Sequence, residues 1–326
     1  MSATEVLTGT AVTRSPSLLR AEVLRIRSRR LVRLLLALGY AVILVAFVIT
    51  AFNTGNPSAA ERSAAQTQAD QLAAQCRADP NVPADQKDQV CSGFTAEQFL
   101  RTRPFDVSGL PSGALAVGAG FAALAFIIGA SSGGAEWTAK TLPSLLTWEP
   151  RRVRVSLTKV AVAVATVVLA AVLAELLWTG LGSALVSLRG SWSPRPDRFW
   201  GDLLDTQLRA VLLAGLAGAA GYAVANLVRN TGAALGLAFV YFAVVENAVR
   251  VLWHWGQQWL VMENVTALVQ RHGVDLVVSQ RLDPATGSFT SVVVHLSNLR
   301  AGLTLAGYTA VAVLAAVLVF RRRDLT

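Results

Sequence analysis

Apolar residues in this chain gather in long uninterrupted runs, not at the short periods that half-bury a soluble helix or strand. Crossing about 30 Å of hydrocarbon takes roughly 20 apolar residues as a helix. Six stretches reach that length: Leu31 to Phe52, Gly113 to Gly133, Thr158 to Leu188, Leu208 to Val228, Gly232 to Trp253, and Ala301 to Phe320. The third is overlong and predicts a tilted helix or one that continues into an interfacial turn. The first exceeds the apolar core of a signal peptide and follows about thirty other residues, so it reads as a retained helix.

The polar segments between the runs predict smaller elements. Ser15 to Arg33 opens on a Ser-Pro pair, suited to an N-cap and first helical position. It then sets Leu19, Val23 and Ile26 on one side among arginines, the pattern of a helix lying on a membrane surface. Within the loop from Asn53 to Ser112, Ser58 to Gln75 is rich in Ala and Gln and predicts a helix. A second helix is signalled by Thr95 as N-cap with Gln98 three residues on, and Phe94 and Phe99 stand where a hydrophobic staple would place them. The expected fold is an all-α membrane protein of six transmembrane helices, with an N-terminal amphipathic helix and a helical cap outside the cytoplasm. Gly215, Gly218, Gly221, Gly232 and Gly236 would let helices approach closely in the fourth and fifth spans, either within the chain or across a dimer seam.

A net charge of +9 invites a nucleic-acid reading, but the charges sort by loop. With the N-terminus in the cytoplasm, residues 1–33, 134–159, Arg229 and the tail carry 16 basic against 5 acidic side chains. The opposite loops, 53–112, 189–209 and 250–300, balance to zero. Basic residues held on the cytoplasmic side set orientation, which places both termini there and removes the need for a nucleic-acid partner. Trp137 and Trp148 flank the inner side, and Trp178, Trp192, Trp200, Trp253, Trp255 and Trp259 fall near or beyond the outer ends, at the headgroup depth that tryptophan favours. Arginine outnumbers lysine 26 to 3, a composition of GC-rich bacterial genomes that points to a bacterial plasma membrane.

Two cysteines occur, Cys76 and Cys91, both in the first outward loop. Disulfides persist outside the reducing cytosol, so these two are expected to pair. Signatures of catalysis and of metal binding are lacking: His254, His272 and His295 are scattered, and no H-E-x-x-H occurs. No catalytic or metal-ligating residue is assigned.

Ionisable residues inside a span are functional candidates because burying them is costly. Glu175 lies 16 residues beyond Lys159, roughly 24 Å further along by helical rise, and has no local partner in the sequence. It belongs either to a translocation path or helix contact, or to a snorkelling or protonated structural carboxyl. Glu246 is followed four residues later by Arg250, the spacing of a same-helix ion pair; the two are translocation-path candidates or a local pair at the outer interface.

The loop from Gly133 to Lys159 carries the sharpest pattern. Glycines end the span, Leu142, Leu145 and Leu146 follow, Pro150 stops the segment, and Arg151, Arg152, Arg154 and Lys159 form a basic cluster. Leucines at that spacing on an exposed turn need a cover, either lipid or a partner. This loop resembles the one in the ABC type-2 permease family, in which an acidic residue at the end of the second span precedes a Thr-Leu pair, two further leucines, a proline, arginines and a lysine. Glu136, Thr141, Leu142, Leu145, Leu146, Pro150, Arg151, Arg152 and Lys159 stand at matching positions. The tight Arg229-Asn230-Thr231 turn, the long last outward loop and the Arg-rich end after Phe320 are similar too. Lys140 departs from the small residue often found before the Thr, and the first outward loop is larger than in many relatives.

The resemblance implies that Glu136, Thr141, Leu142, Leu145, Leu146, Pro150, Arg151 and Arg152 form a cytoplasmic coupling helix docked on a separate ABC ATPase, with the N-terminal helix as buttress. The chain has no G-x-x-x-x-G-K followed by Ser or Thr, so ATP and Mg are expected on the partner and no cofactor on this chain. The implied assembly pairs the permease with a second permease subunit, identical or paralogous, and drives export of an amphipathic or hydrophobic substrate. Two alternatives stay open: a sensing or immunity complex without true export, and a membrane enzyme or assembly factor with no ATPase.

Overall fold

A computed structural model describes residues 18–80, 82–83, 87–139, 147, 150–192, 195–282 and 289–322. Thr141, Leu142, Leu145 and Leu146 lie outside these described residues. Helix α1 (Leu18–Ser28) is followed, after Arg29, by α2 (Arg30–Asn53). The expected single N-terminal helix is thus broken at Arg29, whose backbone is extended. Next come α3 (Ala59–Ala78), the short α4 (Lys87–Cys91), a 3-10 turn at Ala96–Phe99, and β1 (Phe105–Asp106). The long helices α5 (Gly109–Thr138), α6 (Arg152–Arg189), α7 (Phe199–Val228) and α8 (Thr231–Leu252) follow. The two-residue β2 (Gly190–Ser191) pairs with β1. The order closes with α9 (Val261–Val269), strands β3 (Val274–Leu282) and β4 (Phe289–Leu296), and α10 (Asn298–Arg322).

Six of these helices, α2, α5, α6, α7, α8 and α10, are long and apolar enough to cross a membrane. The chain is a multi-pass helical membrane protein. Large apolar side chains such as Leu34, Leu38, Val45, Phe239 and Leu318 face outward; in lipid such faces carry no penalty, and association rests on close packing. Below, the basic end is the end of the bundle with Lys159 and Arg322, and the disulfide end is the opposite one.

Helices α5 and α7 form the centre, and glycine sets their separation. A Cβ on Gly129 would lie 2.0 Å from the carbonyl oxygen of Gly218, and one on Gly221 would lie 2.1 Å from that of Phe126. Gly133 meets the Tyr222 carbonyl in the same way, at 2.4 Å. Gly218 and Gly221 therefore serve packing within the chain, whereas Gly236 on α8 has open space before it. Helix α6 packs along this pair, with Ala163, Val167, Ala170, Ala174 and Trp178 in the core shared with α2, α5 and α7.

Helix α6 is one continuous helix of 38 residues, with no interfacial turn. The turn after α7 is as tight as its sequence implied: Arg229 takes the left-handed conformation (φ 60°) and the Asn230 side chain accepts from the backbone N–H of Ala233.

At the disulfide end, Ser58 caps α3 by accepting from the N–H of Glu61, and the Glu61 carboxylate accepts from the N–H of Thr102. Cys76 and Cys91 are paired, closing a loop of sequence separation 15. In the chain-entropy account such a loop stabilises by about 3 kcal/mol. Cys91→Ser is therefore expected to loosen α3 and α4 and to speed proteolysis between them, while the spans stay inserted; an unchanged cleavage rate would show that the packing alone holds this segment.

Two local expectations are corrected. Thr95 makes no capping bond and the segment is a single 3-10 turn; the Gln98 amide instead donates to the Gly93 carbonyl. The last loop departs from the all-α expectation, because β3 and β4 form an antiparallel hairpin with a bulge between Val277 and Ser279. Leu276, Val278 and Leu296 face a small core with Leu268 and Leu305.

Candidate functional site

Five charged side chains meet at the basic end, where α1 lies across the start of α6 and the end of α5. Glu22 (3% exposed), Glu136 (6%) and Lys159 (6%) are buried there. The Lys159 ammonium donates to Oε1 of Glu136 at 2.6 Å and to Oε1 of Glu22 at 2.8 Å. Nη1 of Arg25 donates to the same two oxygens at 2.9 and 2.8 Å. The four groups thus form a closed ring of alternating charge. Arg29 adds a fifth charge 3.7 Å from Glu136 and also donates to the Ser131 carbonyl at 2.9 Å.

Each position follows from local sequence. Glu22 is the only acid between Ser15 and Arg33, and Glu136 the only ionisable residue of α5. Arg25 lies three residues beyond Glu22, on the same face of α1. The small residues Ser131, Ser132, Gly133 and Gly134 precede Glu136, so α7 and the Thr231 end of α8 can close in behind the cluster; a Cβ on Gly134 would stand 2.4 Å from the Thr231 hydroxyl. A polar layer lies beside it, with the Asn226 amide donating to the Tyr222 hydroxyl at 3.2 Å.

Buried charges of one sign are costly unless paired, and breaking a buried pair leaves the survivor unpartnered. The ring therefore acts as a lock. It fixes α1 to the two helix ends between which the 139–151 connection runs. On the same end, the Arg229 guanidinium stacks over Trp137 at 5.1 Å, Trp137 meets Phe320 edge-on at 6.0 Å, and Arg152 donates to the Arg321 carbonyl at 3.4 Å.

Comparison of the chain with protein-family models and with curated proteins gives no match.

Of the residues singled out in the sequence, Glu136 sits in the ring, while Pro150 and Arg151 immediately precede α6 and Arg152 is its first residue. Glu246, 1% exposed, lies far from the ring at the disulfide end. Its Oε1 accepts from the N–H of Met262 in the first turn of α9 at 2.9 Å, and its Oε2 lies 3.4 Å from Arg250, which also pairs with Glu263 at 2.9 Å. Glu246 and Arg250 thereby pin α9 onto α8, which gives the pair a structural task. Glu175, in the bundle interior, is 3% exposed, and neither carboxylate oxygen has a hydrogen-bond partner among the described residues.

Sequence reasoning did not single out Glu22, Arg25 or Arg29. A lone acid in an arginine-rich helix was the available signal, because a surface helix that only binds anionic lipid gains nothing from it.

Proposed function

We propose that this protein is the membrane-spanning permease subunit of an ATP-driven exporter of the ABC type-2 kind, in a bacterial plasma membrane with both termini cytoplasmic. A separate cytoplasmic ABC ATPase holds ATP and Mg, and a second permease subunit completes the translocation unit. The cargo is an amphipathic or hydrophobic molecule. The chain itself is a transport subunit and not an enzyme.

The observation that carries this reading is the buried ring of Glu22, Arg25, Glu136 and Lys159 at the two ends of the 139–151 connection. A loop resting on lipid has no need of a rigid mount. A loop that receives force does, because alternating access requires the spans to move as packed bodies between two arrangements. The charge distribution supports the orientation, since it places the ring and the connection on the arginine-rich side.

The direct test is Leu145→Asp with Leu146→Asp in one variant, made in the native host. Apolar burial is worth about 25 cal/mol per Å², and an unpaired carboxylate in an apolar groove adds a desolvation cost. A loss of a few kcal/mol shifts assembly by orders of magnitude. The variant is expected to insert normally but to lose its co-purifying ATPase and substrate-stimulated hydrolysis, while Arg151→Ala changes both far less, as a rim charge mainly steers encounter. Retention of the ATPase at wild-type stoichiometry with stimulated hydrolysis would defeat the coupling assignment.

A further inference from the structure

We propose that the carboxyl group of Glu175 is a proton-binding site, filled when α5, α6 and α7 close around it and emptied into the cleft at the disulfide end when they part. The proposal does not depend on an ATPase partner. It rests on two observations of different kinds.

The first is the surroundings of the carboxyl. Gly118 on α5 and Ala210 on α7 shut it in: a Cβ on Gly118 would lie 3.3 Å from Glu175 Oε1 and 2.4 Å from the Ala210 Cβ. Around it, Thr179 donates to the Glu175 backbone carbonyl, and the Gln207 amide donates to that carbonyl and to the Thr179 hydroxyl; Gln207 is the polar side chain that approaches the carboxyl, and it makes no hydrogen bond to either carboxylate oxygen. An ionised carboxylate without a partner in that space is strongly disfavoured, so the closed arrangement accommodates the acid and not its anion.

The second is the route out. A cleft of about 1360 Å³ opens at the disulfide end between α3 and the ends of α5 and α7, and Leu115 and Thr206 are among its lining residues. These two stand three and four residues from Gly118 and Ala210 on the same helices, so about one helical turn, roughly 5 Å, separates the carboxyl from the cleft. A shift of one side-chain layer wets Glu175 and lets its proton leave.

Among the described residues no competing charge faces the group, and the charged residues of α6 itself, Arg152, Arg154, Lys159 and Arg189, lie toward its two ends. Helix α5 has no ionisable residue besides Glu136, at its far end. On α7, Asp202 pairs with Arg271, Asp205 pairs with Arg209, and Tyr222 is at the basic end. From α2, Tyr40 donates to the Ala170 carbonyl, and from α10, Tyr308 donates to the Trp259 carbonyl. A metal cation would carry the same charge as a proton, but hard cations gather about six or more oxygens, and a single carboxylate is offered here. Because the closed state holds the proton and the open state releases it, rising pH favours the open state.

The test uses the full chain in lipid nanodiscs and dicyclohexylcarbodiimide, which reacts with protonated carboxyls in apolar surroundings. The carboxyl oxygen bonds to the central carbodiimide carbon as the acid proton passes to a nitrogen, and acyl transfer to the other nitrogen leaves a stable N-acylurea with nothing expelled. Mass spectrometry is expected to find the adduct on Glu175, to lose it in Glu175→Gln, and to show labelling falling about tenfold per pH unit beyond its midpoint, the slope of one proton. In parallel, a single thiol at Thr206→Cys, with the Cys76–Cys91 bridge intact, should react with an impermeant reagent faster as pH rises in the wild-type background, and by more than the rise in thiolate fraction that the Glu175→Gln background shows on its own. Absence of the adduct at every pH in a monodisperse sample, or labelling that ignores pH, would overturn the proposal. Protection by sodium at fixed pH would overturn it in favour of a cation site.

Discussion

Lys159→Met is expected to free α1 from the bundle without unfolding the spans. The substitution keeps the length and apolar stem of the side chain and removes the ammonium that joins Glu22 to Glu136. Two buried carboxylates are then left sharing Arg25, with Arg29 more distant from Glu136 at 3.7 Å. Breaking a buried pair in this way costs about 3–5 kcal/mol, because one charge survives unpartnered, and two like charges at close range add repulsion. At 1.4 kcal/mol per tenfold, local opening of α1 should rise roughly a hundred- to a few-thousandfold. Hydrogen exchange of the α1 amides reads that population directly. Combining Lys159→Met with Glu22→Gln should recover part of the protection, as removal of the orphaned acid does in a double-mutant cycle. Arg27→Ala, on the exposed face of the same helix, should change little. Equal protection in all three variants would mean that apolar contacts such as that of Ile26 hold α1 and that the charges are incidental.

If the proposed coupling is right, the same variant should uncouple hydrolysis from transport while the ATPase stays bound. Leu145→Asp with Leu146→Asp should instead lose the ATPase itself. The two phenotypes separate the mount from the contact, which the resemblance alone does not distinguish.

How much of this was legible depends on the range over which each signal acts. The six spans were readable because about twenty apolar residues in a row have few alternatives. Their ends were not: α7 begins at Phe199, nine residues before the apolar run at Leu208, because Asp202 and Asp205 find partners in Arg271 and Arg209. The disulfide was readable from two cysteines in one loop. The β3–β4 hairpin was missed: Val274, Leu276 and Val278 stand at period two, but Val277 occupies the position between them where alternation calls for a polar residue and blunts the signal. The ring of charges was half-seen. Glu136 and Lys159 stood out by resemblance, but their joining to Glu22 and Arg25 spans more than a hundred residues of sequence and follows no local period. Likewise Gly129 and Gly133, four apart on α5, carry the small-xxx-small pattern that was sought in the fourth and fifth spans.

Those glycines give the largest effect expected on the fold. Gly129→Ala and Gly221→Ala each place a methyl about 2 Å from a backbone carbonyl oxygen of the facing helix, and a carbonyl held in a helix cannot rotate aside as a side-chain tip can. Relief requires α5 and α7 to move apart along their length, and overpacking of that kind costs typically 1–3 kcal/mol or more even where side chains can yield. Here the separation would also disturb Tyr222 and Asn226 beside the charged ring, and Thr231 against Gly134. In lipid no hydrophobic force between helices restores the contact, since association depends on close packing. Gly129→Ala or Gly221→Ala is therefore expected to abolish the monodisperse peak in detergent and to lower the apparent Tm sharply, with the double variant failing to accumulate. Gly236→Ala, with nothing within 4 Å of the added methyl, should leave the Tm of the isolated chain unchanged and serves as the matched control for the loss of a glycine. Should Gly129→Ala prove as stable as Gly236→Ala, the α5–α7 distance would be wider than these contacts imply, and the rigid centre on which both the charged lock and the closed seam at Glu175 rely would be lost with it.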